Sequence, residues 1–356
     1  MNQGDCPRCG RVPEAPSGAG RLFIWPPLGH TAGKLRSALR DHGFELGDGA
    51  EADAVVVLVP AATHGLLSNL LHEVLTRAEA RDSRVLFMAD GAVPGLADMG
   101  RVDRVETYVA RGQSGWLLAL MREQRVKTLF QPIFHAAEPT RVFAHECLLR
   151  GVDESGADIP PGIMFDIAGR ADLIFPLDRL ARTTAVANAA AARAAGHIFI
   201  NFTPAAVYDP ANCLRTTLAA VEAAGVSRDR VVFEVIETER IGDAHHLARV
   251  LAFYRDAGFQ VALDDLGGGF AGLGLLPSLR PDFVKLDRAM VDGVHADRVK
   301  AIIIERLVQM AHDLGIRVIA EGIESEADLA WLQRHAVDYV QGFLLARPAP
   351  APILTD

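Results

Sequence analysis

The stretch VALDDLGGGF, Val261 to Phe270, ends an apolar run in two adjacent carboxylates, Asp264 and Asp265, and follows them at once with three glycines. Neighbouring like charges repel, and Gly267, Gly268 and Gly269 weaken any helix or strand that would continue. Two situations tolerate such a stretch. One is a turn after a strand, where Asp and Gly are ordinary residues. The other is a cation site at a strand terminus, where the ion cancels the repulsion. The same pattern of an apolar run with a polar end recurs along the chain. Glu146 ends AHE and Asn201 ends IFIN. Glu234 and Glu237 lie in FEVIE, Lys285 in FVKLD, Glu321 in IAE and Gln341 in VQG.

Taken singly, each position has a plain alternative. A Glu at a strand end is usually a surface charge or a helix cap, and a Lys in an apolar run can snorkel outward. Recurrence at successive run ends favours one shared site. Carboxylates and an amide oxygen are hard donors, suited to Mg²⁺ or Mn²⁺ rather than Zn²⁺. Several acids on one rim need more than one cation or strongly shifted pKa values. A carboxylate bridging two ions ~3.5–4 Å apart is the usual two-metal arrangement for phosphodiester cleavage.

The elements that must carry these residues are legible as alternating strands and helices. From Leu129 onward the apolar runs LFQPIF, RVFAHECLL, HIFINF, RVVFEVIE, FQVALDD, DFVKLD, RVIAEG and DYVQG alternate for the most part with helical patterns such as DRLARTTAVANAAAARAAG. That is a barrel-sized count, so residues 129–356 are expected to form a TIM-type (β/α)8 barrel with the polar ends on its carboxyl-terminal rim. Too few residues join the first two runs for a helical crossover, so that pair is expected to be antiparallel. An open doubly wound sheet is the alternative.

Upstream, residues 1–20 read as a flexible Gly/Pro/Ser-rich tail. Residues 21–112 read as a small α/β, receiver-like regulatory or dimerisation domain, and 113–128 as a linker helix. A receiver would need acidic residues after its first strand and an Asp ending the central one. Trp25, Pro26 and Pro60 stand there instead, so docking or dimerisation is expected rather than a phosphorylation switch. In the tail, Cys6 and Cys9 form a CxxC knuckle, half of a Zn²⁺ site. His30, His42, His64, His72 or a second chain could complete it, and two spare thiols in a tail is the simpler account.

The 356 residues are 50% hydrophobic and 23% charged, with a net charge of −9. This is globular composition, and its acidity opposes broad binding to nucleic acid or to anionic membrane. A negatively charged substrate therefore needs local cations. Four cysteines make no disulfide scaffold, so a reducing cytoplasm is expected. The amino terminus lacks the apolar segment of a secretory signal, and no run is long enough to insert in a membrane.

Seven segments, in order, resemble the EAL family of cyclic-di-GMP phosphodiesterases. HECLLR resembles the EALLR motif, with Cys147 in place of Ala. INFTP is similar to NLSP, FEVIETE to LEITE, ALDDLGGGFAGL to DDFGTGYSSL and DFVKLD to DxxKID. IAEGIESEADLAWL is similar to AEGVET, and QGFLLARPAP to the closing QGY…P. The likeness covers about Phe130 to Pro350. It implies that Glu146, Asn201, Glu234 and Asp264 hold one metal, and that Asp264 bridges to a second also served by Asp265 and Glu321. It implies that Lys285 lies beside the attacking water, that Glu237 anchors the loop after Asp265, and that Gln341 orders water at the metals. Gln131, Leu148 and Arg150 become implied substrate contacts, Arg150 at a phosphate.

The resemblance implies hydrolysis of cyclic-di-GMP to linear pGpG and a homodimer through the barrel. Any protein partner would meet the amino-terminal domain, and no cyclase signature is present. Leu266, Gly268, Phe270, Ala271 and Gly272 replace the commoner Phe, Thr, Tyr, Ser and Ser, a change expected to affect basal rate. The rival reading is an effector that binds cyclic-di-GMP with weak or no turnover and signals to a partner.

Overall fold

The computed structural model describes residues 17–47, 54–89, 92, 94–207, 209–236, 244–266 and 272–354. Cys6, Cys9, Glu237 and the segment 267–271 lie outside the described residues. The described residues form two compact units, one within 17–125 and 159–177, the other within 126–158 and 178–354.

The smaller unit holds a four-stranded sheet in the order β2-β1-β3-β4. Its strands are β1 (Gly20–Trp25), β2 (Val55–Val59), β3 (Arg84–Ala89) and β4 (Asp103–Arg104). Leu22, Ile24, Val55, Val57 and Val85 form one core with Leu35 and Leu39 of the helix Gly29–Asp41 and with Leu67 and Leu71 of the helix His64–Val74.

The receiver-like expectation is corrected here. A receiver is wound on a parallel sheet, whereas β1 pairs antiparallel with both β2 and β3, and β3 antiparallel with β4. The reason lies between the helix Gly29–Asp41 and β2. There the chain pairs antiparallel with β2 before β2 itself begins, through Gly47 N–H to the Val56 carbonyl and Leu58 N–H to the Glu45 carbonyl. This extra reversal turns β2 around. Alternation of strand and helix does not by itself reveal it.

The larger unit carries β5 (Val126–His135), β6 (Glu138–Val152), β7 (Asp158–Ile159), β8 (His197–Asn201), β9 (Val231–Ile236), β10 (Gln260–Leu266), β11 (Phe283–Leu286), β12 (Arg317–Ala320) and β13 (Tyr339–Val340). Their order is β5-β13-β12-β11-β10-β9-β8-β6-β7, and β5 also pairs with β6, closing an eight-stranded barrel. The β5–β6 and β13–β5 pairs are antiparallel, and the other barrel pairs are parallel. This is the TIM-type barrel with an antiparallel first strand that the sequence implies.

One buried layer fills the barrel with a residue from every strand: Ile133, Phe143 and Ala144, Phe199, Val232, Ala262, Phe283, Ile319 and Tyr339. Phe143 stacks on Tyr339 with ring centroids 3.7 Å apart. Among the described residues no helix is long and apolar enough to cross a membrane.

The helix Pro161–Ala171 follows β6 and β7 in sequence yet packs in the smaller unit, against the helix Val105–Gln113. Arg111 ties the two, donating to the Ala171 carbonyl at 3.0 Å and pairing with Asp103 at 2.6 Å and Asp172 at 3.3 Å. Sequence reading assigns that helix to the barrel region. Arg111→Ala is expected to cost roughly 0.5–2 kcal/mol, because the guanidinium is mostly buried while its two aspartate partners are open to solvent, which screens the pairs. A truncation starting at Trp116 removes the whole partner helix and is expected to melt below the full chain. Denaturant titration of the variant and thermal melts of the truncation check both.

Candidate active site

A strand presents a side chain to the same face every second residue. Stepping two residues from the apolar layer toward the carboxyl ends leads from Ala144 to Glu146, Phe199 to Asn201, Val232 to Glu234, and Ala262 to Asp264. The same step leads from Phe283 to Lys285, Ile319 to Glu321 and Tyr339 to Gln341. On antiparallel β5 the step runs backward, from Ile133 to Gln131, which pairs opposite Glu146. The polar residues therefore form the layer directly above the apolar one, on the rim where this architecture places its active sites.

Lys285 is the hub of that layer. It is 1% exposed. Its Nζ lies 2.6 Å from Glu321, 2.8 Å from Glu234, 3.3 Å from Asp264 and 3.4 Å from Glu146. Glu146 also accepts from Asn201 Nδ2 at 3.0 Å and from Gln341 Nε2 at 2.8 Å. Glu234 is fully buried and touches the ammonium at ion-pair distance, but among the described residues neither of its oxygens accepts a well-aligned hydrogen bond. The Gln341 Oε1 is likewise buried, with no hydrogen-bond donor among the described residues.

One ammonium cannot neutralise so many carboxylates. Burial pushes Glu321 up to about 8, against the pull of Lys285. Burial and the adjacent Asp264 push Asp265 up to about 6. Burial also drives Glu234 and Asp264 upward. Glu146 goes the other way. Burial raises it, but Lys285 and the hydrogen bonds from Gln341 and Asn201 outweigh that and hold it low. The four carboxylates in turn raise Lys285 despite its burial.

Asp265 is out of phase with the layer, and the backbone corrects this. The β10–β11 register slips between Leu263 and Leu266. Asp265 takes a left-handed φ of +59°, with its N–H bonded to Asp264 Oδ1 at 3.0 Å. The bulge lets two consecutive side chains serve one site. Carboxylate oxygens of Asp264, Asp265 and Glu321 all lie within 4.8 Å of one another.

An oxygen-rich donor set, the buried Glu234 carboxylate and an amide oxygen with no donor among the described residues together fit a hard divalent cation. Among the described residues, the carboxylates of Asp264, Asp265 and Glu321 come close enough together to share one.

A cavity of about 240 Å³ opens above the layer. Gln131, Glu146, Asp264, Lys285, Glu321 and Gln341 contribute to its wall. So do Arg288, Glu324 and Phe343, which the motif reading does not single out. Arg288 pairs with Glu324 at 3.1 Å, and the Arg288 stem fills the space a side chain at Gly322 would need. Their signal in the sequence is position alone, each lying two or three residues beyond a site residue. Leu148 and Arg150 continue along β6 beyond Glu146, both half-buried, and Arg150 donates to the Leu149 carbonyl at 2.7 Å. Cys147 is buried and its thiol is pushed up by burial, which suits a packing role. Neither His64 nitrogen is vacant for zinc, since one meets the Tyr108 hydroxyl and the other the Gly18 carbonyl.

Barrel, rim and donor set define a class, and the comparisons agree with it. The EAL domain family model matches residues 115–348, and the chain belongs to that family. It is 30% identical over 227 residues to a probable cyclic di-GMP phosphodiesterase of Escherichia coli, PdeG, across 62% of this chain and 44% of that protein. It is also 30% identical over 227 residues to an uncharacterized signaling protein of Caulobacter vibrioides, across 64% of this chain and 28% of the relative. The chain thus spans less than half the length of these curated relatives. Among solved structures, a standalone EAL protein from Vibrio cholerae in its c-di-GMP-bound form is 33% identical, with a TM-score of 0.58. That match covers 64% of this chain and 94% of the other.

Two outcomes follow from this geometry. Asp265→Asn should fold normally, since Asn tolerates the left-handed region, whereas Asp265→Val should lose about 1–2 kcal/mol more. Both lose the carboxylate, so the difference in denaturant midpoint isolates the backbone. The second concerns pH. Glu321 and Asp265, with ordinary values of 4.5 and 3.8, keep protons in the fold that the unfolded chain has released. Stability in chelator should therefore fall as pH rises from about 4 to about 8. Mn²⁺ binding at pH 7 should release protons, read as a dependence of calorimetric heat on buffer ionisation enthalpy. A melting temperature in chelator that is flat across this range contradicts the assignment.

Proposed function

We propose that the chain is a cyclic-di-GMP phosphodiesterase that opens the cyclic dinucleotide to linear pGpG. The observation that carries this reading is Lys285 set among four rim carboxylates, in a family whose relatives include named cyclic-di-GMP phosphodiesterases. Divalent cations held by Glu146, Asn201, Glu234, Asp264, Asp265 and Glu321 would supply electrophilic charge at the phosphate and lower the pKa of the attacking water. By resemblance, Glu237 would anchor the loop after Asp265, and Gln341 would order water at the metals.

The chain's own residues do the rest. Lys285 presents a fixed positive charge from a buried position, where it opposes the negative charge that builds on the phosphate oxygens in the transition state. Glu321, which lines the cavity and pairs with Lys285, would give up its proton when a cation binds. Asn201 and Gln341 orient Glu146 by donating to its two oxygens. Gln131 lies across from Glu146 on the wall of the cavity. With Leu148 and Arg150 on β6 it forms the proposed substrate contact, Arg150 at a phosphate. The amino-terminal unit acts as the regulator in this reading, and a homodimer through the barrel is its assembly.

Incubation of the full chain with cyclic-di-GMP and Mn²⁺ or Mg²⁺, with products separated by chromatography, tests the proposal. Linear pGpG is expected, and EDTA should abolish it. Binding without any product favours the effector reading. Glu146→Gln should lose nearly all turnover at modest metal, through weakened metal affinity. Lys285→Ala should still bind Mn²⁺ but lose about 10²–10³ in kcat. Full kcat in that variant would remove Lys285 from the mechanism.

A further inference from the structure

The helix Ile174–Ala191 carries a buried charge pair that the motif reading absorbs only as helical pattern. Asp178 and Arg182, one turn apart, are 1% and 2% exposed. Arg182 Nε donates to Asp178 Oδ2 at 2.7 Å, and its Nη1 donates to the Thr217 hydroxyl. The other Asp178 oxygen accepts from the Thr203 backbone N–H at 2.8 Å. Thr203 lies two residues past Asn201, the last residue of β8. Between them, Phe202 N–H bonds to the Glu234 carbonyl at 3.1 Å.

Desolvating two charges costs several kcal/mol each, and a well-packed apolar pair often serves stability as well or better. What an apolar pair cannot supply is an acceptor aimed at a buried backbone N–H. Here that N–H belongs to the segment leaving β8, directly after the residue whose carboxamide donates to Glu146. Thr217 fixes Arg182, Arg182 fixes Asp178, and Asp178 fixes Thr203.

We propose that Asp178 and Arg182 are positioning residues for Asn201. Their ion pair tethers the backbone at Thr203 so that the Asn201 side chain is held against Glu146 with its oxygen available to a cation. The inference rests on the metal site proposed above. It adds a requirement that lies outside the ligand set, on a helix behind the strand.

Two charge-free double variants separate the tether from the ion pair. Asp178→Asn with Arg182→Met keeps an acceptor for Thr203, and Asp178→Leu with Arg182→Met removes it. The readouts are Mn²⁺ affinity by calorimetry and amide hydrogen exchange over residues 198–206 in chelator. The Asn/Met protein should bind Mn²⁺ within about threefold of the native chain, and the Leu/Met protein about 10–100-fold more weakly. The Leu/Met protein alone should show faster exchange at 202–203. In an Asn201→Ala background the two pairs should bind Mn²⁺ alike, because the tether acts through Asn201. Equal affinity and equal exchange for the two double variants would overturn the proposal. If the Leu/Met protein does not fold, Asp178→Glu replaces it. That change keeps the charge pair but moves the acceptor by one methylene, and unchanged affinity and exchange there would also overturn the proposal. Failure of the native chain to bind Mn²⁺ sinks the metal-site reading, while the exchange comparison still decides the tether.

Discussion

A β-strand returns a side chain to the same face every second residue, and a closed barrel turns that rule into stacked layers. The floor of this site is the apolar layer running from Ile133 through Phe199 and Phe283 to Tyr339. The next layer up holds Gln131, Glu146, Asn201, Glu234, Asp264, Lys285, Glu321 and Gln341. Aromatic packing below, including the Phe143–Tyr339 stack, keeps water from that side. Carboxylates that would be hydrated on a surface are thereby forced together in a poorly solvated space.

The consequence is electrostatic. Lys285 contacts four carboxylates and cannot satisfy them all. Glu321 and Asp265 rise to about 8 and about 6, while Glu146 stays low because two amides and the ammonium serve it. Such a cluster stores unfavourable energy that hard cations relieve, which is how a binding site for them differs from a patch of surface acids. In the proposed function, the same low dielectric would make the fixed Lys285 charge effective against charge developing on a phosphate.

The site also depends on backbone outside the layer. The bulge at Asp264–Asp265 spends strain at a left-handed residue to bring a second aspartate into reach. The buried Asp178–Arg182 pair reaches the Thr203 N–H from the helix behind β8. Neither device changes which donors are present. Both decide where those donors point.

Much of this was legible from the chain. The in-phase site residues each follow an apolar run, and an apolar residue lies two positions before them (two positions after, on β5), so periodicity alone groups them on one face. The short connection between β5 and β6 foretold their antiparallel pairing. Other features were not legible, for definite reasons. Asp265 is out of phase by one, and only a φ of +59° puts its side chain beside Asp264 and Glu321. Strand–helix alternation in the smaller unit carries no strand direction, and the extra segment at residues 45–47, paired antiparallel with β2, goes with its antiparallel sheet. The helix Pro161–Ala171 follows two barrel-unit strands in sequence but packs on Val105–Gln113, a choice made by contact surfaces rather than by chain order. Arg288, Glu324 and Phe343 reach the cavity from beyond their strand ends, where no periodicity applies. Residue type and local period were therefore fixed by the sequence itself, because they follow from covalent geometry and hydropathy. Strand direction, the bulge and the burial that shifts the carboxylates were decided by tertiary structure, because each depends on groups distant along the chain.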